Sequence, residues 1–384
     1  MKATVNSIFR EYGDEFIRGN YCSKQTRKII KSLIDCRTEA LGGHIDECDN
    51  CGNTVTLYNS CRNRHCPQCQ FMKKEQWIEA KKNEVLPYQY FHTVFTLPDS
   101  LNCIVIRNKK IVYKLLFDKV KETLLSVSED EKYFGAKIGF FSIIHTWGQK
   151  LNLHPHIHCV VPGGGYSKGK DKWISCPNNY MVPVKVLTVR FRSLFLIGLK
   201  ELYNTGKLFL GKSIYRDKKE FQKLIDNLFS KEWIVYIKET FKNSDSVIEY
   251  LANYTHRIAI SNHRIKSVEN RIVSFEYKDY KDGNKKKIIK MDVIDFMKHF
   301  LLHIVPYRFV RIRYYGILSH RNKKKSIEDC REYYEIKFKK SELKKWDAVY
   351  KDKTGVDIHI CQKCMKGKMI KIEDIHPKLS CSGP

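Results

Sequence analysis

The chain of 384 residues has no apolar run near the roughly 18 residues that a membrane-spanning helix needs, which excludes a helical membrane protein. Its first residues, MKATVNSIFREYGDEF, include acidic side chains and no apolar core of the kind a secretory signal carries. No Gly-rich GK[ST] pattern for cradling phosphates is present, so no nucleotide-driven motor is expected. Internal repeats and long low-complexity segments are also missing. Acidic residues are in short supply: 42 Asp and Glu face 70 Lys and Arg, a formal net charge of +28 spread from end to end. Such a balance favours a polyanionic partner, most simply nucleic acid, through counterion release and long-range steering. Lysine-rich codon usage in an AT-rich genome is the competing explanation. The 12% aromatic content tips the reading toward nucleic acid, because single strands are held by base stacking as well as charge.

With 42% hydrophobic residues the chain can bury the cores of two or three domains. Cysteine is abundant, with 14 residues. The expected compartment is a reducing cytoplasm, where clustered cysteines mean metal or redox chemistry rather than crosslinks.

Residues up to about 35 read as two basic amphipathic helices broken at Gly19 and Asn20, followed by a turn-rich cysteine block and the charged helix FMKKEQWIEAKKNEVL. The segments YFHTVFTLP, IGFFSIIHTW and HIHCVVPGG have strand character, and a single helix is expected over 102–127 between the first two. This order implies an α+β fold, an antiparallel sheet with helices on one face, behind a helical and zinc-binding N-terminal region. The expected divisions are 1–87, the N-terminal helices and cysteine block; 88–265, a catalytic domain with a helical insertion at about 165–245; 266–320, a β-hairpin and basic segment; and 321–384, a basic tail. Within them, SVIEYLANYTHRIAI reads as a helix, and Asp282, Gly283 and Asn284 as the turn of the hairpin.

The cysteine block contains Cys48-x-x-Cys51 and Cys66-x-x-Cys69, and two such knuckles suit a structural zinc held by four thiolates. Cys36, His44, Cys61 and His65 remain over as a possible second zinc set. Near the other end, Cys361 and Cys364 form half of a further zinc ribbon without an apparent partner pair, although Cys381 and His376 are available.

The stretch HPHIH places His154, His156 and His158 on one face of a strand, with Ile157 pointing into a core. A hairpin around GQKLNL brings His145 opposite His156 and His158. Three imidazoles on one face leave half of an octahedral shell open for water and a phosphate oxygen, a geometry suited to phosphodiester chemistry. Gln149 or His154 can replace His145 as the third ligand, and imidazoles would also suit zinc.

Together, CRNRHCPQCQ, YFHTVFTLP, HTWGQKLNLHPHIHCVVPGGG and RIRYYG, spread over about 27–321, resemble the two-tyrosine HUH rolling-circle transposases of bacterial insertion sequences, those with an N-terminal zinc-binding domain. The resemblance implies an HUH endonuclease-type sheet, a catalytic Mg²⁺ or Mn²⁺ on the histidines, and tyrosine attack on single-stranded DNA with a 5′-phosphotyrosine intermediate. It also implies element ends and target DNA as partners and a bacterial, nucleoid-associated location; with no GK[ST] pattern in the chain, a helicase would have to come from the host. Tyr250 and Tyr254, four apart in EYLANYTHR, match the family's nucleophile pair, and His256 and Arg257 follow where they can orient phosphate. Lys185, Arg190, Arg192, Arg308, Arg311 and Arg313, interleaved with apolar and aromatic residues, are DNA-contact candidates beside Arg257. The alternatives are a replication initiator or relaxase of the same HUH type, and a non-catalytic zinc-dependent DNA-binding protein.

Overall fold

A computed structural model describes residues 3–81, 84, 89–167, 172–176, 182–241, 258–321, 323–335 and 342–378. Its centre is a five-stranded antiparallel sheet in the order Ile312–Gly316, Gly139–Trp147, Leu153–Pro162, Tyr90–Thr96, Val235–Phe241. These strands are rich in β-branched and aromatic residues that fit a pleated, half-buried surface. Phe91, Phe95, Phe140, Ile144, Ile157 and Val161 point to one face and share a core with the helices Lys109–Glu129, Val184–Asn204 and Lys218–Ser230. Each fully buried aromatic or aliphatic side chain there contributes about 1.5–3 kcal/mol. The expected α+β arrangement, with helices over one sheet face, is the observed one.

Two elements differ from expectation. The single helix over 102–127 is divided into Asn102–Arg107 and Lys109–Glu129. Asn108 causes the break: its amide donates to the Ile104 and Phe209 carbonyls at 3.0 and 2.9 Å and accepts from the Phe209 N–H at 2.7 Å. A short polar side chain that bonds the backbone competes with helix continuation. The segment 165–245 is also not all helical, because Val235–Phe241 adds an edge strand to the central sheet. Its alternation explains this, with Val235 buried and Tyr236 exposed. Of the expected helix SVIEYLANYTHRIAI, residues 246–257 lie outside the described residues.

The N-terminal helices are Val5–Gly19 and Lys24–Asp35. Thr4 and Ser7 cap the first reciprocally, and the Ser23 hydroxyl accepts from Thr26 N–H at 3.1 Å to start the second. Their apolar faces form a second core with residues 258–304, including Phe275, Phe296 and Phe300. Phe9 and Phe300 meet edge to face at 5.5 Å. The partner segment is a three-stranded sheet, Ile265–Glu269, Ile272–Asp279 and Lys285–Asp292, followed by the helix Val293–Leu302. The hairpin turn falls where the sequence places it: Asp279 pairs with Lys285, and Gly283 and Asn284 have φ of 55° and 63°.

A third sheet joins the chain's two ends. The strand Met369–Ile375 pairs antiparallel with Gly43–Cys48, which pairs with Thr54–Tyr58. The region expected as a basic tail therefore contains docked structure, including the helix Trp346–Thr354, whose Lys353 reaches buried Glu75 at 3.6 Å.

The tip of the central hairpin plugs into the second core. Leu151, fully buried with φ of 62°, offers its carbonyl to His299 Nδ1 at 2.9 Å and His303 Nε2 at 3.0 Å. Burial above all, with Lys109 and His299 adding repulsion, pulls the His303 imidazole from 6.5 down to about 3, against the opposing pull of its Leu151 bond. Native His303 is thus neutral where the unfolded imidazole binds a proton. Its contribution to stability is complete above about pH 6.5 and is lost as pH falls toward 3, at up to about 1.4 kcal/mol per pH unit. His303→Gln is expected to flatten the acid limb of urea-unfolding stability between pH 6.5 and 4, relative to wild type.

Candidate metal centres and active face

The cysteines converge in a different grouping from that expected. Cys66 and Cys69 do not share a site with Cys48 and Cys51; they meet Cys36 and Cys61. Sulfur separations are 3.6 Å for Cys36 to Cys69, 3.5 Å for Cys61 to Cys69 and 3.6 Å for Cys66 to Cys36. The strands Gly43–Cys48 and Thr54–Tyr58 carry the first knuckle away on a hairpin. Cys66 and Cys69, by contrast, open the helix Pro67–Lys81 and face Cys36 at the end of Lys24–Asp35. Four sulfurs at these distances match the edge of roughly 3.8 Å that a tetrahedron with Zn–S near 2.3 Å requires. Four thiolates leave no position for substrate water, so this centre is structural.

His44 and His65 belong to neither cluster. His44 Nε2 lies 3.6 Å from Asp46 Oδ1, and buried His65 contacts Asn63 Oδ1 through Nδ1 at 3.3 Å. Cys48 and Cys51 lie instead beside Cys361 and Cys364. His376 does not join them, and Cys381 lies outside the described residues.

On the sheet face opposite the helices, His145 pairs across the hairpin with His156, and Ile143 with His158. The His145 ring centroid lies 5.5 Å from that of His156 and 4.6 Å from that of His158, which are 4.8 Å from each other. One ligand nitrogen from each falls within 4.8 Å of the others. Of the three candidates for third ligand, His145 is the one grouped with His156 and His158. Gln149 donates to the Tyr280 hydroxyl at 2.9 Å, and His154 stands 3.5 Å from Asp99.

The surroundings fit a cation bound by imidazole. His156 Nδ1–H donates to the His154 carbonyl at 2.6 Å, which leaves Nε2 with its lone pair. His158 Nδ1 is 2.8 Å from His92 Nε2, with the rings stacked at 5.0 Å and 8°. Desolvation, then the positive potential of neighbouring histidines, brings His156 down to about 4 and His158 well below its ordinary value. Both are neutral near pH 7, the state that coordinates metal. Thr96, Trp147, Arg264 and Tyr280, with Gln149 and His154, also line a cavity of about 240 Å³ around the three rings.

A family model described as "Transposase zinc-binding domain" matches residues 8–97, and one described as "Putative transposase" matches residues 139–326. "Putative transposase y4qJ" of Sinorhizobium fredii (strain NBRC 101917 / NGR234) is 41% identical over 377 residues, covering 96% of this chain and 94% of its own. The chain belongs to the transposases that carry a transposase zinc-binding domain. The transposase is also 27% identical over 302 residues to "Transposase for insertion sequence element IS801" of Pseudomonas savastanoi pv. phaseolicola, covering 77% of this chain and 70% of that one. No solved structure matches it significantly.

The sequence reading of the transposase missed His92. A period-2 count from YFHTVFTLP was the available signal, since His92 shares a sheet face with Val94 and Thr96 and stands opposite Val160 in the histidine strand. Tyr250, Tyr254, His256 and Arg257 lie outside the described residues. Among the candidate DNA contacts, Lys185, Arg190 and Arg308 are exposed. Arg192 donates to the Lys231 carbonyl at 3.1 Å and covers Phe229. Arg311 lies over Trp147, and Arg313 packs 4.1 Å over Phe117 and 5.3 Å over Phe309. Burial, followed by the charge of Arg64, pulls Arg311 down to about 10.

Changing Cys36 and Cys66 together to serine is expected to remove zinc from the first cluster and to lower the thermal midpoint, because Cys36, Cys66 and Cys69 are also part of the second core. Elemental mass spectrometry and a thermal scan of the full chain would check both effects.

Proposed function

We propose that the transposase nicks and rejoins single-stranded DNA at insertion-sequence ends by tyrosine transesterification, with Mg²⁺ or Mn²⁺ held by His145, His156 and His158. The observation that carries this reading is the convergence of three imidazoles, those of His156 and His158 oriented and neutral, at an open cavity in a chain of this family. When bound, the ion would supply Lewis acidity toward a phosphate oxygen.

The chain's own residues do the remaining work. Tyr250 and Tyr254 are the nucleophiles. The phenol oxygen of one forms a bond to the scissile phosphorus, the bond from phosphorus to the 3′ oxygen breaks, and the phenol proton passes through solvent to the departing 3′ hydroxyl. The 5′-phosphotyrosine keeps the phosphodiester for rejoining without ATP, and a second tyrosine permits a second such step. His92 and the His154 carbonyl orient the ligand rings. Exposed Lys185, Arg190 and Arg308, together with Arg257, hold DNA phosphates. Arg192, Arg311 and Arg313 would add their charge to the same surface from packed positions. The basic N-terminal region reads the element ends, target DNA is the second substrate, and a host helicase exposes the strand. Among the described residues no helix is long and apolar enough to cross a membrane, and action on DNA places the proposed site of work in the cytoplasm at the nucleoid.

The deciding experiment incubates purified protein with labelled single-stranded element ends and Mn²⁺, and looks for a covalent protein–DNA species on a denaturing gel. An adduct abolished by EDTA, by His156→Ala with His158→Ala, and by the double change Tyr250→Phe, Tyr254→Phe supports the mechanism. Tight, salt-sensitive binding without any adduct would instead identify a DNA-binding protein. In a separate calorimetric titration, His92→Phe should weaken Mn²⁺ binding about 10–100-fold while all three ligands remain, as expected when a ligand loses the group that orients it.

A further inference from the structure

We infer that Cys48, Cys51, Cys361 and Cys364 hold a second zinc ion that clips the C-terminal segment onto the N-terminal zinc-binding region. Both family matches stop short of the last pair, ending at residues 97 and 326. The inference does not depend on the tyrosine chemistry.

Each pair sits on a backbone turn of similar form. In the first, Gly52 N–H bonds to the Cys48 carbonyl at 3.0 Å and Cys48 N–H to the Asn53 carbonyl at 3.0 Å. The second is similar but one residue longer, with Met365 N–H to the Cys361 carbonyl at 2.9 Å and Cys361 N–H to the Gly367 carbonyl at 2.8 Å. Gly52 and Met365, the residues just after each pair, both take positive φ, 64° and 57°. The turns face one another, with Cys48 to Cys364 at 3.7 Å and Cys51 to Cys361 at 3.8 Å between sulfurs. Those are the edges of a zinc tetrathiolate. N–H groups also aim at sulfur, Gly367 at 3.4 Å and the Asn50 amide at 3.7 Å from Cys364 Sγ, as suits a thiolate's charge.

The fit is close in two further places. A Cβ on Gly367 would stand 2.4 Å from Cys48 Sγ, and one on Gly42 would stand 2.4 Å from the Ile375 carbonyl oxygen. Backbone pairing carries on from the knuckles, from Cys48 opposite Met369 to Gly43 opposite Ile375.

Apolar burial does not hold this ribbon. Every residue of Thr54–Tyr58 is exposed, as is most of Met369–Ile375, and among the described residues no apolar core takes a side chain from either strand. A strand pairing across more than 300 residues of chain, with so little burial, needs another source of free energy, and metal coordination supplies it. The ribbon is therefore completed only once the C-terminal knuckle has been synthesised.

The test reads zinc per chain by elemental mass spectrometry on the full-length protein. Two tightly bound zinc ions are expected in wild type, with one lost in Cys48→Ser plus Cys51→Ser, one lost in Cys361→Ser plus Cys364→Ser, and still only one lost when all four are changed. Loss of two ions in the fourfold variant, or retention of both in the C-terminal pair variant, would overturn the shared site. A second readout uses wild type alone, independent of how the variants fold. Exposed Cys51 and half-buried Cys364 should resist N-ethylmaleimide in the zinc-loaded protein, and chelation should expose all four cysteines together, as identified by peptide mass spectrometry. Rapid labelling of Cys51 and Cys364 before chelation would sink the inference.

Discussion

Successive side chains on a pleated strand point to opposite faces, and in this transposase that constraint divides the protein into an interior and a working surface. Leu153, Ile157, Cys159 and Val161 anchor the strand Leu153–Pro162 in the main core, while His154, His156 and His158 occupy its other face. The neighbouring strands repeat the division, Phe140 and Ile144 against His145, and Phe91 and Phe95 against His92. A one-residue slip of register would exchange histidine for isoleucine on both faces, so the same packing that stabilises the sheet also sets the geometry of the candidate centre.

Desolvation is the cost of that geometry, and the local bonding offsets it. Imidazoles crowded beneath Trp147 and Thr96 hold few protons near neutral pH, which disfavours their charged form and suits coordination. The His154 carbonyl and His92 then fix which ring nitrogen faces the cavity. The hairpin that carries the rings is held at its tip, where Leu151 lies in the second core under His299 and His303. Since that core also contains the N-terminal helices and cysteines of the first cluster, the zinc-binding region and the histidine face share one mechanical support.

Legibility followed the range of the interactions. HPHIH could be read directly, because two-residue spacing on a strand is a local rule, and a short connection made His145 the natural third partner. The hairpin turn at Gly283 and Asn284 and the break between the first two helices at Gly19 and Asn20 were legible for the same reason. His92 required knowing which strand lies beside Leu153–Pro162, and that adjacency crosses more than 60 residues. The cysteine knuckles were visible as pairs, but their pairing with one another was not: proximity in sequence suggested Cys48 and Cys51 with Cys66 and Cys69, whereas the chain's path brings Cys361 and Cys364 to the first pair.

By itself the sequence determined the local elements, the likeness to zinc-bearing transposases, the basic charge that suits DNA, and the side chains available for metal binding and nucleophilic attack. Only the tertiary structure decided which thiols share a centre, which histidine supports His158, and which arginines are spent on packing. Residue type and period set what a segment can do locally, but a coordination sphere is a set of distances, and those depend on how remote segments are folded against each other.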